Sequence, residues 1–256
     1  MTGDTDLSAI GALLAEPARA LILLALTGGR ELPASTLAGE AGVAPSTASE
    51  HLRRLTDGGL IAVTTRGRFR YYRLAGPQVA DLIEAVARLA PARPIASLRE
   101  GTKANALRRA RRCYDHIGGV LGVAVAGAFL RNGYLTGHDG SVDLDRMTGG
   151  RPAGAGRITG LDPVAYTLTD DGARALRELG AEPPRNRAVR CCVDWTEQRH
   201  HLAGPVGREL LRVLEGAGWV QPSHHHRALI LTDRGREQLT ARLGISPAEL
   251  DRPRAA

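Results

Sequence analysis

The stretch "LPASTLAGEAGVAPSTASEHLRRLTDGGLI" (residues 32–61) predicts two short helices that are joined by a tight turn and followed by a strand. Gly42 stands where the first helix ends, because glycine adopts the left-handed conformation of a helix C-terminus at little cost. Pro45 suits the first position of the second helix. Three apolar residues then recur at helical spacing and form its inner face: Ala48, Leu52 and Leu55. The pattern indicates a helix-turn-helix unit.

The outer face of the second helix is polar and basic. Small hydroxyl groups near a helix N-terminus can approach base edges and phosphates in a major groove, and arginines further along can neutralise the DNA backbone. The residues of this face are Ser46, Thr47, Ser49, Arg53 and Arg54. Their arrangement predicts a recognition helix.

The next segment, "IAVTTRGRFRYYRL" (61–74), predicts a β-hairpin with its turn at Arg66-Gly67. Arg66 and Arg68 lie at the tip. A basic hairpin can simply be solvated, but beside a helix-turn-helix unit it favours contact with the minor groove or with phosphates.

The segment "QVADLIEAVARLA" (78–90) predicts an amphipathic helix, and "LSAIGALL" (7–14) predicts a second apolar helix. The apolar stripe of the helix at 78–90 consists of Val79, Leu82, Ile83, Val86 and Leu89. Such a stripe packs either inside the chain or against a second chain, and we expect it to form a dimer interface.

Three of these motifs together resemble the ArsR family of winged-helix repressors: "LAEPARALILLAL" (14–26), "APSTASEHLRRLTDGGLI" (44–61) and "GRFRYYRL" (67–74). The resemblance covers about residues 7–90. It implies a homodimer whose first and last helices form the interface, bound to a palindromic operator in double-stranded DNA. It also implies DNA contact at His51, in addition to the hydroxyl residues and the two wing arginines. Because His51 borders the inner face, a structural role for it is the alternative.

The sequence departs from that family at its metal sites. The helix "ASTLAGEAG" (34–42) lacks the Cys-x-Cys pair of the family's best-known site, and residues 78–90 contain no histidine for its other common zinc site. Neither familiar sensing site is therefore expected.

Charge is unevenly distributed along the 256 residues. The formal net charge is +7, and residues 93–112 alone carry seven Lys/Arg residues against one Glu. We expect a helix there with one basic face, either solvated or following DNA phosphates, and with Leu98 and Cys113 on its apolar side. No apolar run approaches the ~20 residues of a membrane span. The odd number of cysteines favours a reducing cytoplasm over a disulfide scaffold.

The second half contains an internal repeat. "HIGGVLGVAVAGAFLRNGYL" (116–135) aligns without gaps with "HLAGPVGRELLRVLEGAGWV" (201–220), and "LTDDGARAL" (168–176) matches "LTDRGREQL" (231–239). The repeat predicts two degenerate winged-helix-like modules, and a single all-helical dimerisation extension is the alternative. The Gly-rich insert at 136–163 is expected to be a loop without a calcium site.

These patterns predict a mainly α fold with small β-hairpins, of the α+β class. Residues 1–92 form a winged helix-turn-helix domain, residues 93–182 a linker helix and the first repeat module, and residues 183–256 the second repeat module.

The segment "CCVDWTEQRHH" (191–201) contains two adjacent cysteines and two adjacent histidines. Strand alternation sends Cys191 inward and Cys192 outward, so the two thiols are not expected to share a metal ion. Cys192 is predicted to be exposed beside Arg190, and Asp194 to be the N-cap of a helix. The candidate sensing residues are Cys113, His116, Cys192, Trp195, His200 and His201. A packing or hydrogen-bonding role is favoured over ligation for the two aligned histidines, and no metal site is predicted.

The functional prediction is a cytoplasmic, dimeric repressor that is released from its operator by a small-molecule effector bound between the repeat modules. The alternative is a thiol- or metal-responsive repressor that senses through Cys192 with Cys113 or with His200 and His201. A DNA-binding protein without a sensor is a third interpretation. No phosphate loop, closed metal motif or activated nucleophile indicates an enzyme, and no cofactor is expected.

Overall fold

The computed structural model describes residues 4–91, 94, 96–137, 166–225 and 227–252. The chain forms two compact units, Met1–Leu89 and Ala90–Ala256. The domain boundary predicted at residues 92/93 lies close to this division. The insert predicted as a loop at 136–163, and our expectation of no calcium site in it, lie almost wholly outside the described residues.

The first unit is a winged helix-turn-helix domain, as predicted. Its described elements, in chain order, are α1 (Leu7–Leu14), α2 (Pro17–Leu26), β1 (Leu32–Pro33), α3 (Ala34–Ala41), α4 (Pro45–Asp57), β2 (Ile61–Arg66), β3 (Phe69–Leu74) and α5 (Pro77–Leu89). The strands form one antiparallel sheet in the order β1-β3-β2. Gly42 ends α3 with a φ of 66°, which is the left-handed conformation that was predicted for it.

The core of the first unit fixes the orientation of α4. The inner face of α4 is buried, and it packs against α2 and α3. The central side chains, each at most 1% exposed, are Ile22, Leu23, Leu26, Leu37, Leu52 and Leu55. Complete burial of one such side chain contributes about 1.5–3 kcal/mol, so the outer face of α4 is held firmly towards solvent.

The second unit contains the internal repeat. Its described elements, in chain order, are α6 (Leu98–Arg109), β4 (Arg111–Cys113), β5 (His116–Gly118), α7 (Gly119–Arg131), β6 (Leu135–Thr136), β7 (Tyr166–Leu168), α8 (Asp170–Leu179), β8 (Ala188–Val193), β9 (His200–Ala203), α9 (Gly204–Gly216), β10 (Val220–Pro222), β11 (Leu229–Leu231), α10 (Asp233–Leu243) and α11 (Pro247–Leu250). The described strands pair as β4-β5, as β6-β7-β8-β9 and as β10-β11.

The two aligned segments have the same order of described elements: strand, helix, strand, strand, helix. The last helix of each is capped by a threonine, Thr169 or Thr232, whose hydroxyl accepts a hydrogen bond from the N–H of the glycine three positions later. The duplication remains an interpretation of the sequence, and the matching order of elements is what it predicts.

The two segments interlock. Helix α7 of the first packs against β9 of the second, and α9 of the second packs against β5 of the first. Residues 93–182 and 183–256, predicted as separate modules, therefore lie together in one compact unit with a shared core.

The helix predicted at residues 93–112, with Cys113 on its apolar side, is wrong at its C-terminal end. Helix α6 ends at Arg109, and the chain then forms a hairpin whose tight turn contains Tyr114 with a φ of 58°. Cys113 therefore lies on a strand, although it is buried as expected. Leu98, predicted on the apolar side, is 94% exposed.

The helix predicted to begin at Asp194 is also absent. The Asp194 carboxylate does accept hydrogen bonds from the backbone N–H groups of Thr196 and Glu197, as an N-cap does. The chain then turns, with Gln198 at a φ of 52°, and enters strand β9. A capping pattern thus stabilises a tight connection between strands.

No single helix among the described residues is both long and apolar enough to cross a bilayer. One bent pair, Leu7–Leu14 with Pro17–Leu26, passes the same criteria of length and composition when the two helices are taken together.

Candidate functional site

The N-terminal half of α4 presents the predicted hydroxyl groups to solvent. Ser46, Thr47 and Ser49 are exposed, and the Ser49 hydroxyl donates a hydrogen bond of 2.9 Å to the carbonyl of Pro45. His51 is half-buried, and its Nδ1 atom has no hydrogen-bond partner among the described residues. Its position at the edge of the inner face fits the structural alternative as well as DNA contact.

The two arginines of α4 are exposed, but each already has an acidic partner. Arg53 forms ion pairs of 2.8 Å with Glu50 and with Asp57. Arg54 forms one of 2.8 Å with Glu50. Hydrogen bonds from both arginines lower the pKa of Glu50 to about 2. Contact of these arginines with phosphate therefore has to compete with Glu50.

The hairpin of β2 and β3 forms the wing. Arg66 lies opposite Phe69, so the loop consists of two residues, and its first, Gly67, has a φ of 59°. Arg66 is held by Glu31 at 2.5 Å. The Arg68 guanidinium lies over the exposed ring of Phe69, 5.2 Å from its centre, and so stays at the tip.

The predicted dimerisation stripe divides into a covered and an uncovered part. Ile83 is buried within the first unit, and Val79 and Leu82 are half-buried. At the C-terminal end of α5, Val86 is 43% exposed and Leu89 is 75% exposed. These two side chains are the part of the stripe that a second chain can cover.

The second unit brings two cysteines and two histidines into one buried cluster. Cys113 of β4 pairs directly with His116 of β5, and Cys192 of β8 pairs directly with His201 of β9. Directly opposed residues of antiparallel strands have side chains on the same face. One ligand atom from each of the four residues lies within 4.8 Å of the others. We call these four residues the Cys–His cluster.

In the Cys–His cluster the two sulfur atoms lie near each other, and so do two ring nitrogens. The Sγ atoms of Cys113 and Cys192 are 3.9 Å apart, and the structure holds all three cysteines of the chain as thiols. The Nε2 atoms of His116 and His201 are 3.2 Å apart. Both histidines and Cys113 are buried, and Cys192 is half-buried. The prediction that Cys192 is exposed is therefore wrong, because it faces Cys113 across the interlocked hairpins.

A carboxylate faces the second ring nitrogen of each histidine. His116 Nδ1 is hydrogen-bonded to Asp115 at 3.1 Å, and His201 Nδ1 lies 3.2 Å from Asp194. Such carboxylates fix the orientation of an imidazole and leave its Nε2 atom available to a ligand. Each carboxylate also has an arginine partner: Arg208 lies 2.7 Å from Asp115.

The partner of Asp194 is Arg111, and both side chains are fully buried. Their atoms are 2.9 Å apart, and the same carboxylate oxygen accepts a hydrogen bond of 2.6 Å from the N–H of Gly119. Burial works against ionisation, but Arg111 and His201 hold the pKa of Asp194 well below its usual range. Burial likewise works against protonation of His201, yet Asp194 and the Cys113 sulfur raise its pKa to about 9.

Glycines make room for the two histidines. A Cβ atom on Gly207 would lie 2.3 Å from the carbonyl oxygen of Leu202 and 2.9 Å from the Cβ of His116. A Cβ atom on Gly122, its counterpart in the repeat, would lie 3.3 Å from the Cβ of His201. The last glycine of each H-x-x-G-x-x-G segment therefore packs against the histidine of the other segment.

The other candidate sensing residues lie outside the Cys–His cluster. The His200 ring is directed away from it and is hydrogen-bonded to the Tyr166 hydroxyl at 2.8 Å. The Arg111 guanidinium lies over the Trp195 ring, 4.7 Å from the centre of that ring. Cys191 packs against the apolar core, and burial raises the pKa of its thiol. The alternation predicted for Cys191 and Cys192 is thus present.

The polar partners of the cluster could not be recognised from the sequence; they are Arg111, Asp115, Asp194 and Arg208. One available signal was the spacing of cysteine before each repeated histidine, Cys-x2-His at 113–116 and Cys-x8-His at 192–201. Each Cys–His pair directly precedes the glycine frame of its repeat.

The described residues also line a small cavity in the second unit. Its lining includes Val123, Gly127, Arg131 and His200, and its volume is about 40 Å³. Pockets for organic ligands usually measure about 300–1,000 Å³, so this cavity is too small for such a ligand.

Comparison with known proteins identifies the helix-turn-helix domain and the family of the chain. A family model described as "Helix-turn-helix domain" matches residues 14–64. The HTH-type transcriptional regulator YdfF of Bacillus subtilis (strain 168) is 36% identical over 248 residues, which cover 94% of this chain and 99% of that protein. The chain belongs to the HTH-type transcriptional regulators. The recognition made from residues 7–90 is thereby confirmed, and the long C-terminal extension is shared with this relative.

Solved structures match the regulator over about a third of its length. The homodimeric winged helix-turn-helix DNA-binding domain Mb0332 of Mycobacterium bovis, described as a possible ArsR-family regulator, is 33% identical, with a TM-score of 0.30. The match covers 35% of the regulator and 89% of that chain. Reduced HlyU of Vibrio cholerae is 26% identical, with a TM-score of 0.31, over 33% of the regulator and 88% of that chain.

Proposed function

We propose that this transcriptional regulator is a cytoplasmic, homodimeric repressor that binds a palindromic operator through α4 and the wing and releases it on a signal received by residues 90–256. The observation that supports this best is the outer face of α4. The inner face of α4 is buried in the core, whereas Ser46, Thr47 and Ser49 near the N-terminus of the helix remain exposed. We assign no catalytic role to the chain.

Contact with DNA divides between the helix and the wing. Short hydroxyl side chains let the backbone of α4 approach base edges in the major groove, where each base pair presents a distinct pattern of donors and acceptors. At the tip of the wing, Arg68 has no acidic partner among the described residues, whereas Arg66 is paired with Glu31. Arg68 is therefore the stronger candidate for contact with phosphate or the minor groove.

We expect a second copy of the chain to pack against α5. Val86 and Leu89 are exposed and continue the stripe whose earlier members are partly covered, and Leu7 of α1 is 76% exposed. Two chains related by a two-fold axis present two copies of α4 to two half-sites, which is why the operator is expected to be palindromic.

Two signals are candidates for release of DNA. The first is a small organic ligand, as expected from the sequence, although the cavity described above is too small for one. A larger pocket of about 530 Å³ is lined by residues 96–105 and is open to solvent, and it does not lie between the two repeat segments. The second is thiol or metal chemistry at Cys192. A specific observation favours the second, because Cys192 lies with Cys113 and two histidines in a single cluster.

Selection of bound duplexes from a random DNA pool tests the DNA-binding part of the proposal. The full-length protein should enrich an inverted repeat whose half-sites are about one helical turn apart. Arg68→Ala should weaken binding to all sequences and reduce the slope of log affinity against log salt by about 0.9. Ser223→Ala, a substitution in the second unit, serves as the control. Binding by the wild type that does not depend on salt, or enrichment of no sequence, contradicts the proposal.

A further inference from the structure

The Cys–His cluster has the composition of a tetrahedral metal site. Two thiolates and two imidazoles are the ligand set of structural zinc sites, and soft sulfur ligands disfavour magnesium and calcium. Two strand pairs, each supplying one cysteine and one histidine, hold the four side chains on rigid elements. We propose that Cys113, His116, Cys192 and His201 bind one zinc ion, and this inference does not depend on DNA binding.

The distances within the cluster agree with tetrahedral geometry. With Zn–S bonds of about 2.3 Å, two sulfur ligands lie about 3.8 Å apart, and with Zn–N bonds of about 2.0–2.1 Å, two nitrogen ligands lie about 3.3 Å apart. The observed separations are 3.9 Å between the Sγ atoms and 3.2 Å between the Nε2 atoms. The two like pairs therefore already have tetrahedral separations, and the sulfur–nitrogen pairs, which lie within 4.8 Å, have to close to about 3.6 Å around an ion.

The carboxylates orient both imidazoles towards the same point. Asp115 and Asp194 face the Nδ1 atoms, and a proton on each Nδ1 atom leaves a lone pair on each Nε2 atom. Without an ion, a proton on one Nε2 atom accounts for their 3.2 Å separation as a hydrogen bond between the two rings. A metal ion that replaces this proton binds both lone pairs at once.

The charges around the cluster also balance with a divalent ion. The negative charge of Asp194 is neutralised by Arg111, and that of Asp115 by Arg208. Two thiolates then remain, and each forms when a thiol releases its proton to the solvent as the ion binds. One zinc ion with two thiolates and two neutral imidazoles has no net charge, which suits a buried position.

Zinc binding by the full-length protein tests this inference directly. The protein is purified under reducing conditions, stripped with a chelator and titrated with zinc against a chromophoric competitor. We expect one ion per chain. Replacement of zinc by cobalt should give the intense visible bands of tetrahedral cobalt together with thiolate-to-cobalt charge transfer in the near ultraviolet.

Neighbouring residues on opposite faces of the same strands provide matched controls. Cys192→Ser should weaken zinc binding by more than the about 10–100-fold that loss of an outer-shell partner causes, whereas Cys191→Ser should leave it unchanged. His201→Gln and His200→Gln form a second such pair. Equal zinc affinities within both pairs would overturn the inference.

X-ray absorption on the zinc-loaded wild type gives an answer even if a ligand variant does not fold. The expected shell contains two sulfur atoms at about 2.3 Å and two nitrogen atoms at about 2.0–2.1 Å. A shell without sulfur overturns the inference. So does a Cys113–Cys192 disulfide that persists in protein kept under reducing conditions, because it removes both thiolates. Since neither measurement involves DNA, a negative result here leaves the proposed operator binding standing.

Discussion

At the scale of single residues, Asp194 shows how a polar group can organise the inside of this protein. Its carboxylate is fully buried, pairs with the buried Arg111, accepts the N–H of Gly119 and faces His201. Removing one partner of a buried ion pair typically costs 3–5 kcal/mol, because the other charge is left uncompensated. Asp194 therefore ties the start of α7 to the strands that carry the Cys–His cluster.

A glycine in the repeat is the subject of the first prediction. Gly207→Ala should destabilise the second unit by about 1–3 kcal/mol, because its Cβ would meet the Leu202 carbonyl and the His116 side chain. Both tryptophans, Trp195 and Trp219, lie in this unit, so urea unfolding followed by tryptophan fluorescence reports on it.

Gly216→Ala, at the end of the same helix, is the control. A Cβ atom there meets nothing within 4 Å, so its stability should be unchanged or slightly greater. If both variants unfold at the wild-type midpoint, the close packing described at Gly207 is incorrect.

The second prediction concerns the acid on the recognition helix. Glu50→Gln should raise the affinity for DNA of any sequence, because it removes a negative charge and frees Arg53 and Arg54 from their shared partner. The slope of log affinity against log salt should become steeper by up to about one unit per additional phosphate contact.

The pH dependence of this effect follows from the lowered pKa of Glu50, about 2 against an ordinary 4.5. A carboxyl group whose pKa is depressed stays ionised above that value, so Glu50 is charged from about pH 4 upward. The gain in affinity on Glu50→Gln should therefore be the same at about pH 4.5, where a carboxyl of ordinary pKa is half protonated, and at pH 7.5 in fluorescence anisotropy. A gain that disappears at the lower pH contradicts this assignment of charge.

At the scale of helices and strands, local signals predicted the DNA-binding unit well. Gly42 in a left-handed conformation, Pro45 at a helix start and Gly67 in a two-residue loop each act through the backbone of their own segment. These signals require no knowledge of distant residues. For this reason α3, α4 and the wing could be placed from the sequence.

The Cys–His cluster depends on pairing between distant segments, which the sequence does not display. Cys113 and Cys192 are separated by 79 positions, and they meet because α7 and α9 each cover a strand of the other repeat. Alternation correctly placed Cys191 and Cys192 on opposite faces, but it could not show what lies opposite either face. The turn at Tyr114 was missed because a left-handed tyrosine has no local signature.

The end of α5 carries the third prediction. Val86→Asp should convert the dimer into monomers and weaken operator binding, because a charge on a covered apolar face costs several kcal/mol unless it is paired. Since Val86 is 43% exposed within one chain, the fold of the monomer should be retained. Sedimentation velocity at micromolar concentration measures the state of assembly.

Gln78→Asp places the same charge on an exposed position of α5 outside the stripe, and it should leave the dimer intact. A wild-type protein that sediments as a monomer refutes this interface, as does a Gln78→Asp variant that dissociates as readily as Val86→Asp.

At the scale of the whole molecule, the fourth prediction is that zinc stabilises the second unit. An ion that binds only the folded state contributes about 2.7 kcal/mol when its free concentration is 100 times its dissociation constant. Thermal unfolding followed by tryptophan fluorescence should therefore shift to higher temperature with zinc in the wild type. The double variant Cys113→Ser/Cys192→Ser should show no shift, and an equal shift in both proteins excludes stabilisation through the Cys–His cluster.

The division of the cluster between the two repeats has a consequence for how an ion is retained. Each repeat supplies one cysteine and one histidine, which is the arrangement that a symmetric pair of separate chains would need in order to build the same site. Here one polypeptide carries both halves, so the second half meets the first at an effective concentration that does not change when the protein is diluted. Occupancy is then independent of protein concentration, and the ion, the pH and the reduced state of the thiols set it. A monomer and a dimer, on DNA or away from it, can keep the same ion.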